Sequence, residues 1–157
     1  NMVFHKAAGW GQVVAKWKAV DVFAALELAN IRYFREGFVR NGLFPDNSEG
    51  KSEVFNFFNY SAKAGLTYKI NGRNYWFVNG SYATRAPLSN NIFVSPRTRN
   101  ATVPNPENET IRSVESGYVL NSPKVKARLT GFYTQFLNQT RTLTFFHDDF
   151  RNFVNYS

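Results

Sequence analysis

The sequence predicts an all-β fold: an antiparallel meander of about six long strands, forming an incomplete section of a transmembrane β-barrel. Three observations predict it. Strict alternation runs from Tyr60 to Ile70, with Tyr60, Ala62, Ala64, Leu66, Tyr68 and Ile70 on one phase and Ser61, Lys63, Gly65, Thr67 and Lys69 on the other. That period of two is the strand signature. Short turns alternate with long polar connections, the asymmetry of membrane barrels. Aromatic residues make up 17% of the chain while mean hydropathy is only −0.38, which suits amphipathic strands better than a thick apolar core.

Residues 1–9 lack clear periodicity. Residues 10–20 alternate, with Val13, Ala15, Trp17 and Ala19 against Val14, Lys16, Lys18 and Val20, and a short turn is expected at Asp21. Residues 22–35 contain good helix formers. A strand is preferred there, because Ala24, Leu26 and Leu28 share one face and β-rich sequence surrounds them. Residues 36–53 form a long polar connection. A strand over 54–70 follows, then the hairpin dipeptide Asn71-Gly72, whose residues tolerate positive φ. The return strand, 74–85, places Trp76, Val78, Gly80 and Tyr82 opposite Phe77, Asn79, Ser81 and Arg85. Residues 86–110 carry four of the six prolines, which excludes a central strand. Strands are expected over 111–120 and 124–136, joined at Asn121-Ser122-Pro123. A third long connection starts at Asn138, and residues 150–157 read as the start of another strand.

The expected strands run about ten residues or more, the length that a tilted membrane strand needs, against about five or six in globular sheets. A membrane barrel requires about eight strands or more, since an open edge in lipid leaves backbone groups unpaired. The whole chain, 1–157, is therefore expected to be part of a larger wall. The bland alternative is a soluble β-sandwich or small barrel that binds carbohydrate through exposed aromatics.

The chain has no cysteine, which excludes disulfides and thiolate metal sites. No run of about 18 apolar residues offers a transmembrane helix, and no signal peptide is visible at the N-terminus. The net charge of +8, from 19 Lys+Arg against 11 Asp+Glu, is spread rather than clustered. No RNP-like motif or basic block is present, so nucleic acid is not an expected partner.

Three strings carry a family resemblance: FREGFVRNGLFPDNS (34–48), KAGLTYKINGRNYWFVNGSYATRAP (63–87), and the stretch from Asn108 to Tyr133. Within them stand a GLTYKIN hairpin, the strand end Tyr82-x-x-Arg85-Ala86-Pro87, and an Asn/Pro-rich loop. Asn108-Glu109-x-Ile111-x-Ser113-x-Glu115-x-Gly117-Tyr118 comes next, and then 125–134, VKARLTGFYT. In order and spacing these resemble the barrel of TonB-dependent outer-membrane receptors of Bacteroidetes type, over roughly residues 10–157. The resemblance implies a plugged, 22-stranded barrel that imports a scarce nutrient (siderophore, cobalamin or oligosaccharide) with energy transduced through TonB. It implies as partners outer-membrane lipid, the remaining strands, a plug domain and TonB acting through that plug. Plug, TonB box and an aromatic-ended closing strand are not seen in this chain. The resemblance also orients the first hairpin, with Asn71-Gly72 at the periplasmic side, Arg85-Ala86-Pro87 at the outer side, and the Tyr60/Leu66/Trp76/Tyr82 face against lipid.

Candidate chemistry is sparse, and no enzymatic activity or cofactor is expected. His147-Asp148-Asp149 has metal-ligand residue types, but no ligand spacing recurs and His5 is the one other histidine; a solvated loop is the better account. Glu115 has no second carboxylate fixed beside it, so acid/base catalysis is unsupported. Lys16, Lys18, Lys63, Lys69, Lys126 and Arg128 fall on polar strand phases and form a candidate lumen-facing basic wall for anionic cargo. The plainer account is a polar wall that pairs with carboxylates, and it is preferred. Arg85, Arg97, Arg99 and Arg112 flank the second loop as candidate contacts for ligand or lipopolysaccharide. Asn-x-Ser/Thr triplets at Asn59, Asn79, Asn100, Asn108, Asn138 and Asn155 are read as chance.

Overall fold

The alternation becomes one sheet. The computed structural model describes residues 1–139 and, beyond them, only the backbone of two short strands. The elements in chain order are β1 (Met2–Lys16), β2 (Val20–Gly37), β3 (Gly50–Lys51), β4 (Phe55–Asn71) and β5 (Asn74–Arg85). They continue with the one-turn helix α1 (Ser89–Ile92), β6 (Glu109–Asn121), β7 (Lys126–Leu137), β8 (Leu143–Phe146) and β9 (Phe153–Tyr156). Strand order is β1-β2-β4-β5-β6-β7, every pair antiparallel, with β3 as a short addition to β2. The long strands run from 12 to 18 residues. Among the described residues the sheet is not closed: β1 pairs only with β2, and β7 only with β6.

Register fixes which residues share a face. Directly paired residues point the same way, so Val22, Leu66, Val78, Ser116 and Gly131 form one cross-strand row. Ala24, Ala64, Gly80, Val114 and Tyr133 form the next. A one-residue slip would move every apolar residue to the other side.

The connections obey the expected asymmetry, with differences in detail. The first turn lies at Lys18-Ala19, closed by Trp17 N–H to the Val20 carbonyl at 2.8 Å; Asp21 is already paired within β2. β1 reaches back to Met2, where no periodicity is legible, because Ala7, Ala8, Gly9 and Gly11 blur the contrast between its faces. The hairpin at Asn71-Gly72 is present but lacks positive φ at either residue. Instead the Asn71 carboxamide oxygen accepts the Arg73 and Asn74 backbone N–H groups at 2.9 and 3.0 Å, an Asx turn, after a register irregularity between Lys69 and Asn71. The third turn centres on Pro123-Lys124. All three lie at one end of the sheet, and the long connections 38–54 and 86–108 lie at the other.

The buried apolar cluster sits at that loop end. It joins Tyr33 and Phe57 to Ala86, Ile92 and Phe93 of the second loop, with Ile31, Phe55 and Val103 packed around them. The loop therefore folds back over the sheet. Burying Ile92 and Phe93 contributes about 1.5–3 kcal/mol each. A strand does form within 150–157, β9, but it pairs with β8 in a separate two-stranded sheet, and β8 interrupts the long connection expected from Asn138. His147, Asp148 and Asp149 lie outside the described residues.

Candidate functional site

The sheet has two chemically opposite faces. The first, here the belt face, carries Leu26 and Leu28 of β2, Tyr60 to Ile70 of β4 on the even positions, and Trp76, Val78 and Tyr82 of β5. Val114 and Tyr118 of β6 and Leu129 and Tyr133 of β7 complete it. None of these residues is buried, and Leu129 is 78% exposed. Aromatics mark both ends of the band. At the turn end, Tyr68, Trp76 and Tyr118 are consecutive cross-strand partners. At the loop end, the Tyr60 and Tyr82 rings stack at 5.6 Å and 13°. Tyr60 and Tyr68 are about 26 Å apart along β4 at ~3.3 Å per residue, or about 20 Å for a strand tilted by ~40°.

The second, or capped, face holds every buried apolar strand residue: Ala29, Tyr33, Phe57 and Phe77. It also carries charges of both signs in contact. Lys69 Nζ meets Asp21 Oδ1 at 2.6 Å, Lys6 meets Glu27 at 3.5 Å, and Arg85 pairs with Glu109. Asn79 Nδ2 donates to Glu115 Oε1 at 2.6 Å. Glycine has a structural use here. A Cβ at Gly117 would lie 2.6 Å from Phe77 Cζ and 2.6 Å from the Leu129 carbonyl oxygen, so the Phe77 ring occupies the space the glycine leaves. Arg128 then lies over the same ring at 4.7 Å.

Arg35 ties the loop end together. Its Nε donates to the Pro96 carbonyl at 2.7 Å, and its Nη1 donates to the Ser48 carbonyl at 2.9 Å and to Asn100 Oδ1. Both long loops are thereby fastened to the end of β2, above the apolar band. Burial lowers the Arg35 pKa from its usual value, yet a guanidinium held by three oxygens stays charged. The Tyr33 hydroxyl adds a bond to the Pro87 carbonyl at 2.9 Å, and Arg99 lies over Phe44 at 4.7 Å, joining the two loops.

Of the residues expected to form a basic wall, Lys16, Lys63, Lys69, Lys126 and Arg128 share the capped face; Lys18 lies in the first turn. They do not form one patch. Lys16 and Lys69 gather around Asp21, Lys63 stands midway along β4, and Lys126 and Arg128 are on β7. Glu115 is held by Asn79, a structural bond. Of the loop arginines, Arg85 pairs with Glu109 and Arg112 covers the Tyr82 ring at 5.4 Å.

Tyr33, Arg35 and the Ile92-Phe93 anchor were not singled out from sequence. The legible signals were aromatic residues on the polar phase at the loop end of β2 and β4, and the run Ile92-Phe93-Val94 inside a Pro/Asn-rich loop. Asn59, read from sequence only as part of a chance Asn-x-Ser triplet, is 6% exposed, and its amide nitrogen and oxygen have no partner among the described residues. No group of three or more potential metal ligands occurs among the described residues. No family model, no curated protein and no solved structure matches this chain.

Proposed function

We propose that this chain is part of the barrel wall of an outer-membrane receptor that takes up a scarce nutrient with TonB-coupled energy. The observation that carries the reading is the inversion of burial. The apolar, aromatic-rimmed face is uncovered, while the buried apolar strand residues and the strand ion pairs occupy the opposite face. In water such a surface would be a severe liability, since soluble monomers rarely expose apolar patches beyond a few hundred Å². In a bilayer it is the outward band of a β-barrel, with the polar face towards the lumen. On this reading the belt meets lipid, and the loops 38–54 and 86–108 are outer loops folded inward over the lumen.

The edges support the same reading. The exposed large apolar residues of the capped face (Met2, Phe4, Trp10, Val14, Phe132 and Phe136) all stand on β1 and β7. Further strands and a plug would cover them and pair the open backbone edges. The nutrient-receptor assignment rests on the sequence resemblance, and the plug, TonB and cargo are partners on that ground. The two tethered loops suit a receptor that presents a fixed rim to its cargo.

The absence of cysteine makes the topology testable by single-cysteine labelling in cells that make the natural protein. Cysteines at Val39 and Leu88, both exposed loop residues, should react with a membrane-impermeant maleimide in intact cells. Cysteines at Lys18 and Arg73 in the short turns should react only after permeabilisation. Equal labelling of all four in intact cells would rule the reading out.

A further inference from the structure

We infer that the belt face carries a lipid site: an apolar trough for an acyl chain, with Arg112 at its rim to hold a phosphate headgroup. The inference rests on the membrane reading above and adds a specific ligand to it. The trough has a volume of about 1020 Å³. Its floor includes Gly11, Ala24, Ala64 and Gly80, and Leu28 and Tyr82 are among its walls. Three of the floor residues are consecutive partners in one register row, Ala24 on β2, Ala64 on β4 and Gly80 on β5. Small side chains on three adjacent strands leave a groove that runs across them, wider than a gap beside one glycine. A Cβ at Gly80 would meet nothing within 4 Å. An open apolar groove in a bilayer is filled by chains that follow its contour.

Charge chooses the headgroup. Within the strands, acidic residues fall on the capped face (Asp21, Glu27, Glu109 and Glu115), except Glu36 at the far loop end of β2. The belt face keeps two arginines on its loop-end side, Arg32 and Arg112, both exposed. Arg112 is the direct partner of Tyr82, a wall of the trough, and its guanidinium lies over that ring at 5.4 Å. Tyr82 in turn stacks on Tyr60. A lipid whose chain enters the trough therefore places its headgroup beside Arg112, a cation with no ion-pair partner among the described residues. Guanidinium binds phosphate through paired N–H donors, more strongly than a neutral donor would. The occupant is thus an acyl lipid with an anionic phosphate headgroup, in the leaflet on the loop side.

The test is native mass spectrometry of the detergent-solubilised full chain, titrated with phosphatidylglycerol or with a diacylglycerol of identical chains, which lacks the phosphate. Wild type should retain phosphatidylglycerol about tenfold better, a difference of the size one charge-assisted contact provides. Arg112→Gln should remove that preference and still retain both lipids. Gly80→Leu, at a position where an added Cβ meets nothing within 4 Å, fills the floor and should lower retention of both. Equal retention of the two lipids by wild type, or an unchanged preference in Arg112→Gln, overturns the inference, as does unchanged retention in Gly80→Leu. The maleimide pattern on the same variants separates the two claims. If the loop and turn labels are as expected while the lipids are held equally, only the lipid site fails. If the chain stays dispersed in buffer without detergent, the membrane reading itself fails.

Discussion

Strand β4 shows the contrast within three residues. Leu66 faces out between Val22 and Val78, in a row with no covering element among the described residues. Its neighbour Gly65 faces the other way, beneath the Phe23 ring and beside Asn79. At the loop end of the same strand, Phe57 is buried under the second loop while Phe58, one residue on, is 58% exposed. Two surfaces made from the same backbone thus differ in what covers them among the described residues. The capped face is stabilised by packing and by paired charges. The belt face has no covering layer among the described residues, and on the proposed reading lipid supplies it.

This comparison can be broken by substitutions that treat the faces differently. The largest effect is expected from Phe93→Ala, which empties a fully buried position and should cost about 3–5 kcal/mol. Hydrogen exchange should show the loss confined to the loop end, with protection falling over residues 86–103 while the turn-end halves of β4 and β5 keep theirs. A charge in the band comes next. Ala64→Arg, midway between Tyr60 and Tyr68, should destabilise the bilayer-inserted chain by about 2–4 kcal/mol, the cost of a cation at the midplane. Thr67→Arg on the other face should cost no more than about 0.5 kcal/mol. Guanidinium unfolding from phosphatidylcholine vesicles measures both, and equal costs would erase the distinction between the faces.

A subtler pair uses glycine. Gly117→Ala pushes a methyl against the Phe77 ring and a backbone carbonyl, for about 1–3 kcal/mol of strain. Gly131→Ala, on the belt face with nothing within 4 Å, should instead stabilise by about 0.5 kcal/mol, since alanine has less conformational freedom to lose. A modest change is expected from Tyr33→Phe. It removes one bond to the Pro87 carbonyl and should cost about 0.5–1.5 kcal/mol, read as a modest loss of protection in the second loop.

Much of this architecture could be read from residue order, for a physical reason. A two-sided strand must alternate wherever its faces meet different media, so the strands around Tyr60–Ile70 and Trp76–Tyr82 were plain. Where both faces tolerate small or apolar residues, the signal fades, which is why the first half of β1 was missed. Turn chemistry was half legible. Asn71 does direct the turn, through its side chain rather than through a positive φ. The loop cap was the least legible part. Ile92 and Phe93 are anchored by contacts to β2 and β4, more than 30 residues distant in sequence, and nothing local to a proline-rich segment declares such partners. The candidate basic wall shows the same limit. Alternation places five of its six residues on one face, but which of them meets a carboxylate is decided by the neighbouring strand, as Lys69 and Asp21 show.

On the proposed reading the apolar face of this sheet meets lipid and the capped face meets water. Nitroxide scanning along β4 in a reconstituted bilayer tests it most directly, with labels at Ser61, Ala62, Lys63, Ala64, Leu66 and Thr67. Labels at Ala62, Ala64 and Leu66 should collide readily with dissolved oxygen and poorly with a water-soluble nickel chelate. Labels at Ser61, Lys63 and Thr67 should show the reverse. High nickel accessibility at the first set, or no alternation between the sets, would contradict the account.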